Sequence, residues 1–377
     1  MSKPSILITG ANGFIGKNLA IYLKHCYKVD LDIIEVSRET DDSQLKEHIA
    51  RSNIIISLAG ENRPKTEMGF IEGNVDYTKK ICAFSTSYKL PIIYISSTQA
   101  EQDNIYGRSK LSAENAIKQY SKNAGALIRI VRLPNVFGKW CKPNYNSFIA
   151  TMCYNIWHDI PISIDDPGKI LYLVYVDDVI RVLADNVLSI LAQKNTHESE
   201  VYFTVAPQYH ESLGDIYRKL LAIKNGQYDS QITERAVGFD RALAATFMSY
   251  CPENKIKYAL KEHQDSRGSF YEVFKLKDYG QVSISTTLPG VTRGNHFHYS
   301  KQEKFLVLQG ECLFKFRSLS DGQLITCATS DKTKEVVEVP LGYTHNFTNI
   351  GKEELIVLIW CNEEFDKENP DTYFLEV

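Results

Sequence analysis

The stretch Gly290–Gly310 reads GVTRGNHFHYSKQEKFLVLQG, and its polar residues decide how the C-terminal part of the chain is interpreted. It contains His296, His298 and Glu303 between two terminal glycines. In a β-strand, residues two positions apart point to the same face of the sheet. Both imidazoles can therefore face inward while Phe297 faces the other way. Imidazole nitrogens and a carboxylate are suitable ligands for zinc and other borderline divalent ions, so the stretch predicts a metal site built on strands.

A second stretch, Pro340–Asn349 (PLGYTHNFTN), supplies His345 as a fourth candidate ligand. The alternative is that all four residues are ordinary polar groups on a β surface. Their spacing closely resembles the two cupin motifs, which are Gly, five residues, His-x-His, four residues, Glu, six residues, Gly, and then Pro-x-Gly, two residues, His, three residues, Asn. The one departure is Lys334, which stands where the second motif opens with glycine. The resemblance implies a C-terminal all-β cupin barrel that binds Zn²⁺, or another divalent metal, through His296, His298, Glu303 and His345.

The other end of the chain begins with a strand, a glycine turn and a helix. Ser5–Thr9 (SILIT) is a β-rich run, Gly10–Gly16 (GANGFIG) follows at once, and a helical pattern comes next. The first glycine permits the tight turn, the second lets the backbone approach a pyrophosphate, and the third allows close packing of helix on strand. The amides at the helix start would then bind phosphates. The residues predicted to bind the cofactor here are Gly10, Asn12, Gly13, Phe14, Ile15 and Gly16.

Alternating strands and helices continue through the N-terminal two thirds of the chain. Apolar runs at Leu31–Val36, Asn53–Leu58, Pro91–Ser96 and Ala126–Arg132 are separated by helical patterns. Continuous apolar runs are typical of buried parallel strands. The pattern therefore predicts an α/β Rossmann-type fold, a doubly wound parallel sheet. We expect this domain to occupy residues 1–252, and the cupin domain residues 253–377, with the boundary near Cys251-Pro252.

The end of the second predicted strand, Glu35-Val36-Ser37-Arg38, bears on the choice of cofactor. NAD enzymes usually place an acidic residue there for the ribose hydroxyls. A guanidinium fork such as that of Arg38 instead suits a 2′-phosphate, which favours NADPH. The alternative is that Arg38 is a solvated loop residue and Glu35 binds the ribose.

The segment Tyr106-Gly-Arg-Ser-Lys110 places a phenol and an ammonium one helical turn apart, on one face. The lysine charge can lower the pKa of the phenol, which can then exchange a proton with a carbonyl oxygen. Following a glycine turn, this pair resembles the catalytic dyad of extended short-chain dehydrogenase/reductases. The resemblance implies that Thr98, or failing that Ser97, hydrogen-bonds the substrate carbonyl. Only seven residues separate Thr98 from Tyr106, a shorter segment than is usual in that family.

The same resemblance implies further site residues. Those expected to line the cofactor are Leu58, Ala59, Gly60, Lys110 and Asn135. Those expected to serve the substrate are Asn74 and Arg132 and, in the aromatic and amide-rich tract at 140–146, Lys142 and Asn144. The alternative for that tract is an ordered loop. In the C-terminal half, Arg267 and Glu272 resemble the opening of cupin-type deoxysugar epimerases, where such residues serve the nucleotide sugar. Their alternative is a cross-strand ion pair.

Composition excludes several classes of function. The chain has 377 residues, with 43 basic and 46 acidic side chains and a net charge of −3, so charge gives no reason to expect nucleic acid or a membrane surface. No run of 18 apolar residues predicts a transmembrane helix, and the N-terminus does not resemble a signal peptide. Eight scattered cysteines without a C-x-x-C pair suggest free thiols in a reducing cytoplasm.

Reductase-like and cupin-like halves in one chain resemble the bifunctional capsular polysaccharide enzymes of the UDP-N-acetyl-L-fucosamine pathway. The resemblance implies a homodimer acting on a UDP-4-keto-6-deoxy-N-acetylhexosamine, with C3 epimerisation by the cupin half and NADPH-dependent C4 reduction by the other. The product would be UDP-2-acetamido-2,6-dideoxy-L-talose. One alternative is a reductase whose cupin domain is a non-catalytic dimerisation or ligand-sensing module. A 4,6-dehydratase is disfavoured, because Gln99 and Ala100 follow Thr98 where a carboxylate pair would be needed.

Two questions about the cupin half stay open at this point. The metal could polarise an enolate oxygen or could only hold the fold. The base that removes the C3 proton is not identified by any motif, and Tyr343 is only a candidate.

Overall fold

The computed structural model describes residues 3–25, 30–192, 201–228, 231–232, 238–255, 260–276, 280–298, 301–368 and 370–377. The chain divides into two compact units. The first comprises Met1–Leu220 and Val237–Cys251, and the second comprises Leu221–Ala236 and Pro252–Val377. Within the described ranges, none of the helices combines the length and the hydrophobicity needed to cross a bilayer.

The first unit alternates strands with helices. Its strands are β1 (Ser5–Thr9), β2 (Asp32–Val36), β3 (Ile54–Ser57), β4 (Ile92–Ser97), β5 (Ile128–Leu133), β6 (Asn135–Phe137), β7 (Ile170–Tyr175), β8 (Tyr202–Phe203) and β9 (Tyr209–Ser212). The helices along this part of the chain are α1 (Phe14–His25), α2 (Asp42–Ala50), α3 (Met68–Phe70), α4 (Tyr77–Ser85), α5 (Ile105–Ala124), α6 (Phe148–Trp157), α7 (Val176–Leu191), α8 (Leu213–Tyr228) and α9 (Gly238–Met248). A π-helical turn, Ile71–Asp76, joins α3 to α4, and short 3₁₀ turns lie at Thr86–Tyr88 and Thr98–Glu101.

The main sheet of the first unit is parallel, with strand order β2-β1-β3-β4-β5-β8. Every residue of β3 and β4 is buried, as continuous apolar runs predict for strands covered on both faces. The Rossmann-type fold class predicted from the sequence is confirmed. The strand order reverses between β1 and β3, and ligands of such sheets bind in the crevice beyond the carboxyl ends of the strands at this point. A smaller sheet has the order β6-β7-β9.

The second unit is built almost entirely from strands. They are β10 (Gln231–Ile232), β11 (Glu262–Asp265), β12 (Gly268–Leu276), β13 (Gly280–Thr287), β14 (Thr292–Phe297), β15 (Glu303–Gln309), β16 (Glu311–Ser318), β17 (Leu324–Ser330), β18 (Val336–Glu338), β19 (Tyr343–Asn349), β20 (Leu355–Cys361) and β21 (Tyr373–Phe374). A 3₁₀ turn, Glu253–Lys255, comes before them.

Two sheets, antiparallel except for the pairing of β10 with β12, enclose the core of the second unit. One has the order β10-β12-β13-β20-β15-β18, with β11 also paired to β12, and the other has the order β17-β16-β19-β14-β21. Buried aromatic side chains, including Phe305, Phe314 and Phe347, form the core. This all-β arrangement agrees with the predicted cupin-like fold. The unit also includes Leu221–Ala236, which the sequence-based division assigned to the first domain. Within this segment, β10 pairs in parallel with β12 of the second unit.

Candidate functional sites

The glycine turn after β1 packs backbone against backbone. Gly10 has φ +69°, and a Cβ there would lie 2.8 Å from the backbone nitrogen of Ala59. A Cβ on Gly16 would lie 2.3 Å from the carbonyl oxygen of Gly10. Both positions therefore exclude any side chain, which accounts for the spacing of the motif. The turn containing Gly10, Asn12, Gly13, Phe14, Ile15 and Gly16 thus lies beside the segment Leu58, Ala59 and Gly60 that follows β3.

At the end of β2, both candidate ribose-side residues are held in surface ion pairs. Arg38, whose side chain is 87% exposed, pairs with Glu61, and Glu35 pairs with Lys24. Exposed pairs of this kind contribute about 0–1 kcal/mol. Arg38 can therefore exchange Glu61 for a phosphate at small cost.

The dyad helix α5 begins with a well-formed cap. Asn104 accepts a hydrogen bond from the Gly107 amide at 2.7 Å. A Cβ on Gly107 would lie 2.2 Å from the carbonyl oxygen of Gln99, so the helix rests directly on the Thr98–Glu101 turn. The first turn of α5, which carries Tyr106, therefore lies close to the turn that carries Thr98. Close packing at Gly107 is what brings these two sequence-predicted groups to the same region.

Lys110 lies one turn further along α5 and is buried. Its Nζ donates to the carbonyl oxygen of Ile95 at 2.8 Å and lies 4.8 Å from the ring centroid of Tyr94. Burial lowers the pKa of Lys110, although the charges of Tyr106 and Glu114 act in the opposite direction. A desolvated ammonium beside a phenol interacts strongly with any negative charge that develops there.

Thr98 and Ser97 differ in their availability. Thr98 is exposed at the start of its 3₁₀ turn. Ser97 is buried, and its Oγ accepts a hydrogen bond from the Gln99 amide at 3.1 Å. The structure therefore favours Thr98 as the group that can reach a substrate carbonyl.

Asn74 supports the dyad from the π-helical turn. Its buried amide donates to the carbonyl oxygen of Glu61 at 2.9 Å and to Ser109 Oγ at 3.0 Å, and it accepts from the Glu61 amide at 2.9 Å. π-helical turns are rare and frequently occur at functional sites. Both amide hydrogens of Asn74 are used within the protein. It therefore ties the loop after β3 to α5, and its contact with substrate stays a prediction.

Arg132, predicted to serve the substrate, is held in an ion-pair network. Its guanidinium contacts Glu114 at 2.7 and 2.9 Å and Glu101 at 2.5 Å, and it stacks on the ring of Tyr202. Glu114 is completely buried and also accepts from Ser96 Oγ at 2.6 Å. Burial alone would raise the pKa of Glu114, but the hydrogen bonds from Arg132, Ser96 and Tyr202 and the charge of Arg132 together outweigh it and hold the pKa below its ordinary value. These contacts give Arg132 a structural role in an ion-pair network, which the sequence did not indicate.

The remaining predicted residues of the first unit, Asn135, Lys142 and Asn144, are exposed. Asn135 begins β6 and donates to the Tyr172 carbonyl oxygen at 3.3 Å. Asn144 adopts φ +54°, and its backbone N–H donates to Thr151 Oγ1 at 2.9 Å. The Lys142 ammonium lies 5.8 Å from the ring centroid of Tyr145. Internal contacts of this kind are also what an ordered loop requires, so that alternative for the 140–146 tract stays open.

The four predicted metal ligands meet in the second unit. The candidate ligand atoms of His296, His298, Glu303 and His345 lie within 4.8 Å of one another. Oε2 of Glu303 is 3.2 Å from Nε2 of His298 and 3.2 Å from Nε2 of His345. Pairing of β14 with β19 sets His296 directly opposite His345. Sheet register thus brings together residues that lie up to 49 positions apart in the sequence.

The polar atoms of this cluster fit a divalent metal. Within the part of the chain that the structure describes, Nε2 of His298, Nε2 of His345 and Oε2 of Glu303 are buried and make no hydrogen bond of good geometry. Orphaned polar atoms that converge on one point are expected where an ion binds. Burial, aided by the nearby His345, lowers the pKa of His296 to about 4. Burial alone would raise the pKa of Glu303, but its two histidine neighbours lower it. Neutral imidazole and ionised carboxylate are the forms that bind metals, and these shifts favour them at His296 and Glu303. At His298, burial lowers the pKa, but the hydrogen bond and charge of Glu303 outweigh burial and raise it.

A cavity of about 480 Å³ opens beside the cluster and contains all four candidate ligands. Arg267 and Glu272 both line it. Arg267 pairs with Asp265 at 2.6 Å, and Glu272 pairs with Lys275 at 3.1 Å. Both ion pairs are with residues close in the sequence, and the role of Arg267 and Glu272 towards a nucleotide sugar stays a prediction.

Sequence reasoning missed several polar residues of the cavity wall, among them Arg293, Lys301 and Cys361. Arg293 lies three residues before His296, and simple alternation along a strand would place the two side chains on opposite faces. A bulge with Asn295 at φ +62° shifts the register between Gly294 and His296 and returns Arg293 to the cavity side. The glycine-asparagine pair that permits this bulge was the signal available in the sequence.

Tyr343, the candidate for the C3 base, does not lie in the cavity wall. It packs against the apolar cluster that contains Phe305 and Phe347. Cys361, in contrast, faces the cavity, and burial followed by the charge of Glu303 raises the pKa of its thiol.

Comparison with known proteins identifies the class first. The model of the NAD dependent epimerase/dehydratase family matches residues 6–199, and that of the polysaccharide biosynthesis C-terminal domain matches residues 263–373. The chain belongs to the NAD dependent epimerase/dehydratase family, and its cofactor class is a nicotinamide dinucleotide.

Full-length relatives narrow this assignment. The crystal structure of the capsular polysaccharide assembling protein CapF from Staphylococcus aureus matches with a TM-score of 0.90 and 40% identity, covering 99% of this chain and 100% of that one. The UDP-2-acetamido-2,6-beta-L-arabino-hexul-4-ose reductase of Pseudomonas aeruginosa is 41% identical over 374 residues, which are 99% of this chain and 98% of that protein. The resemblance to bifunctional capsular polysaccharide enzymes is thereby confirmed. UDP-glucuronic acid 4-epimerase from Bacillus cereus, crystallised with NAD, matches 67% of this chain and 100% of its own at a TM-score of 0.54 and 20% identity, which shows the fold alone.

Proposed function

We propose that this chain is a bifunctional nucleotide-sugar enzyme of capsular polysaccharide synthesis. Its second unit epimerises C3 of a UDP-4-keto-6-deoxy-N-acetylhexosamine, and its first unit reduces C4 to give UDP-2-acetamido-2,6-dideoxy-L-talose. Two relatives that match over nearly the whole chain support this: one is a capsular polysaccharide assembling protein, and the other is a UDP-sugar reductase. The observation that carries the proposal is the presence of two candidate sites in one chain, a Tyr–Lys dyad near the dinucleotide turn and a cavity with a metal-binding cluster.

The reduction rests on proton supply at the substrate carbonyl. The glycine turn Gly10–Gly16 would hold NADPH, which would supply the hydride for C4. Charge then develops on the carbonyl oxygen, and the phenol of Tyr106 donates a proton there. The buried cation of Lys110 favours the phenolate that is left behind. The exposed hydroxyl of Thr98 donates a hydrogen bond that orients the same oxygen.

The choice of NADPH over NADH is also part of the proposal. Arg38 is the exposed guanidinium at the end of β2, and its surface pair with Glu61 is weak enough to exchange for a 2′-phosphate. Glu35, the competing ribose ligand, is already paired with Lys24.

The epimerisation uses the acidity of a proton adjacent to a ketone. Zn²⁺ bound by His296, His298, Glu303 and His345 would supply Lewis-acid polarisation of a carbonyl or enolate oxygen. Arg267 and Glu272 line the same cavity and provide polar contacts for the nucleotide sugar. An open cavity lined by charged groups favours catalysis over a purely structural module, which has no need of one.

Compartment and assembly complete the proposal. We expect a cytoplasmic homodimer. Six of the cysteines that the structure describes are free thiols, which agrees with a reducing compartment: Cys82, Cys141, Cys153, Cys312, Cys327 and Cys361. Light scattering of the purified chain tests the oligomeric state, and a monomer would contradict that part of the proposal.

One experiment tests both activities together. The native chain is incubated with a UDP-4-keto-6-deoxy-N-acetylhexosamine and NADPH in deuterated water, and the product is analysed by NMR. The expected result is deuterium at C3 and oxidation of NADPH coupled to a new hydroxyl at C4. Reduction without exchange at C3 would favour the alternative in which the cupin unit is a non-catalytic module. Exchange without reduction would contradict the role of the first unit.

A further inference from the structure

A row of three cavity residues runs across three adjacent strands of the second unit. Cys361, the last residue of β20, stands directly opposite Gln281 of β13 on one side and Glu303 of β15 on the other. Directly opposite residues on neighbouring strands project from the same face of a sheet. All three side chains line the cavity. The thiol of Cys361 is therefore the immediate neighbour of the one carboxylate in the metal-binding cluster.

The two oxygens of the Glu303 carboxylate have different partners. Sγ of Cys361 lies 3.4 Å from Oε1, a normal distance for a thiol that donates to oxygen. Oε2 lies 3.2 Å from Nε2 of His298 and from Nε2 of His345. A donor on Oε1 fixes the rotation of the carboxylate and directs Oε2 to the point where the imidazoles converge.

A second ligand of the cluster is held in the same manner. Nδ1 of His298 lies 2.5 Å from the carbonyl oxygen of Asp371, so the ring donates there and presents Nε2 to the cluster. In both ligands, one atom is occupied by the protein and the other is left for the metal. Supports of this kind orient metal ligands and raise the affinity of the site.

We infer that Cys361 is a positioning residue of the metal site, and that its thiol holds Glu303 as a ligand through a single oxygen. The inference rests on the metal site of the proposed function. Cys361 is not itself one of the four residues whose ligand atoms lie within 4.8 Å of one another. A carboxylate held in this way would bind the ion through one oxygen rather than through both.

The test measures zinc affinity directly, by competition with a chromophoric chelator on the full-length chain. The variants Cys361→Ala and Cys361→Val lack a donor, and Cys361→Ser keeps one. Removal of an outer support commonly costs about 10–100-fold in metal affinity. We therefore expect the Ala and Val variants to bind zinc about tenfold more weakly or worse, and the Ser variant to bind like the native chain. Cys327→Ala is the matched control, since Cys327 is a half-buried cysteine of the same unit outside the cavity wall.

The outcomes distinguish a failure of the positioning role of Cys361 from a failure of the metal site itself. Native affinity in both Cys361→Ala and Cys361→Val overturns the positioning role, and so does a loss in Cys361→Ser as large as in Cys361→Ala. Using two donor-free variants of different volume keeps the test valid if one of them folds poorly. A native chain that does not bind zinc would overturn the metal site itself, and this inference with it. A loss of affinity in Cys327→Ala equal to that in Cys361→Ala would assign the effect to general packing.

Discussion

Replacing Glu114 by Gln tests whether the network around Arg132 is structural. The substitution removes a fully buried charge but keeps the shape of the side chain. Breaking a buried ion pair by neutralising one partner typically costs about 3–5 kcal/mol. The Arg132 side chain is 20% exposed and retains Glu101 at 2.5 Å, so we expect the lower end, about 3 kcal/mol. For a unit of this size, the corresponding fall in melting temperature is about 6–12 °C.

Calorimetry as a function of pH supplies the assay. The folded-state pKa of Glu114 is lowered, so its contribution to stability is present above the ordinary carboxyl pKa near 4.3 and is lost as the pH falls through the folded-state value. The melting temperatures of the native chain and Glu114→Gln should therefore differ most at neutral pH and approach each other in acid. A variant within about 0.5 kcal/mol of the native chain at pH 7 is typical of an uninvolved surface position and would refute the reasoning.

A paired substitution then separates the structural role of Arg132 from a role in substrate binding. Replacing a buried ion pair by apolar residues of similar volume is often neutral or stabilising. We expect Glu114→Leu combined with Arg132→Met to recover most of the stability lost in Glu114→Gln. If the KM for the nucleotide sugar is then native, Arg132 acts only in the fold. A large rise in KM in this stably folded variant would restore the sequence-based prediction that Arg132 contacts the substrate.

Three further outcomes test the chemistry of the two units. Tyr106→Phe should slow NADPH oxidation about 10²–10⁴-fold, the usual contribution of a proton donor, and should leave deuterium exchange at C3 intact; near-native turnover of NADPH would exclude Tyr106 as the donor. Arg38→Ala should raise the KM for NADPH about tenfold or more, since a charge-assisted hydrogen bond contributes about 1.5–3 kcal/mol. The KM for NADH should not change, and equal changes in both would argue against a contact with the 2′-phosphate. His296→Ala should lose bound zinc and lower the melting temperature of the second unit, because buried ligands left unpaired cost about 1–3 kcal/mol each; one retained equivalent of zinc with unchanged stability would mean that the ligands are misassigned.

The fold could be predicted from the sequence because its signals are local. Five parallel strands appear as continuous apolar runs, and the glycines at positions 10 and 16 are fixed by backbone contacts shorter than any side chain allows. The strand β8 was not predicted, since two residues, Tyr202 and Phe203, carry no periodic pattern. The structure also groups Leu221–Ala236 with the second unit rather than with the first. The two-residue strand β10 joins the second unit through backbone pairing, which leaves no mark on composition.

The candidate sites were only partly predictable, and the division between what was found and what was missed follows from geometry. Tyr106 and Lys110, or His296 and His298, lie a fixed number of residues apart on one element, so spacing reveals them. Glu114 of α5 meets Arg132 of β5 only through tertiary packing, and Cys361 meets Glu303 only through the pairing of strands whose residues lie 58 positions apart.

Groups that support a ligand are harder still to recognise, because the partner is often backbone. The carbonyl oxygen that fixes His298 belongs to Asp371, and any residue at that position would supply one. The same holds for the carbonyl oxygen of Ile95, which accepts from Lys110. A sequence motif therefore records the atoms that touch substrate or metal. The tautomer of the imidazole and the placement of the ammonium depend on main-chain atoms, whose positions follow from strand order and register and become visible only once the chain is folded.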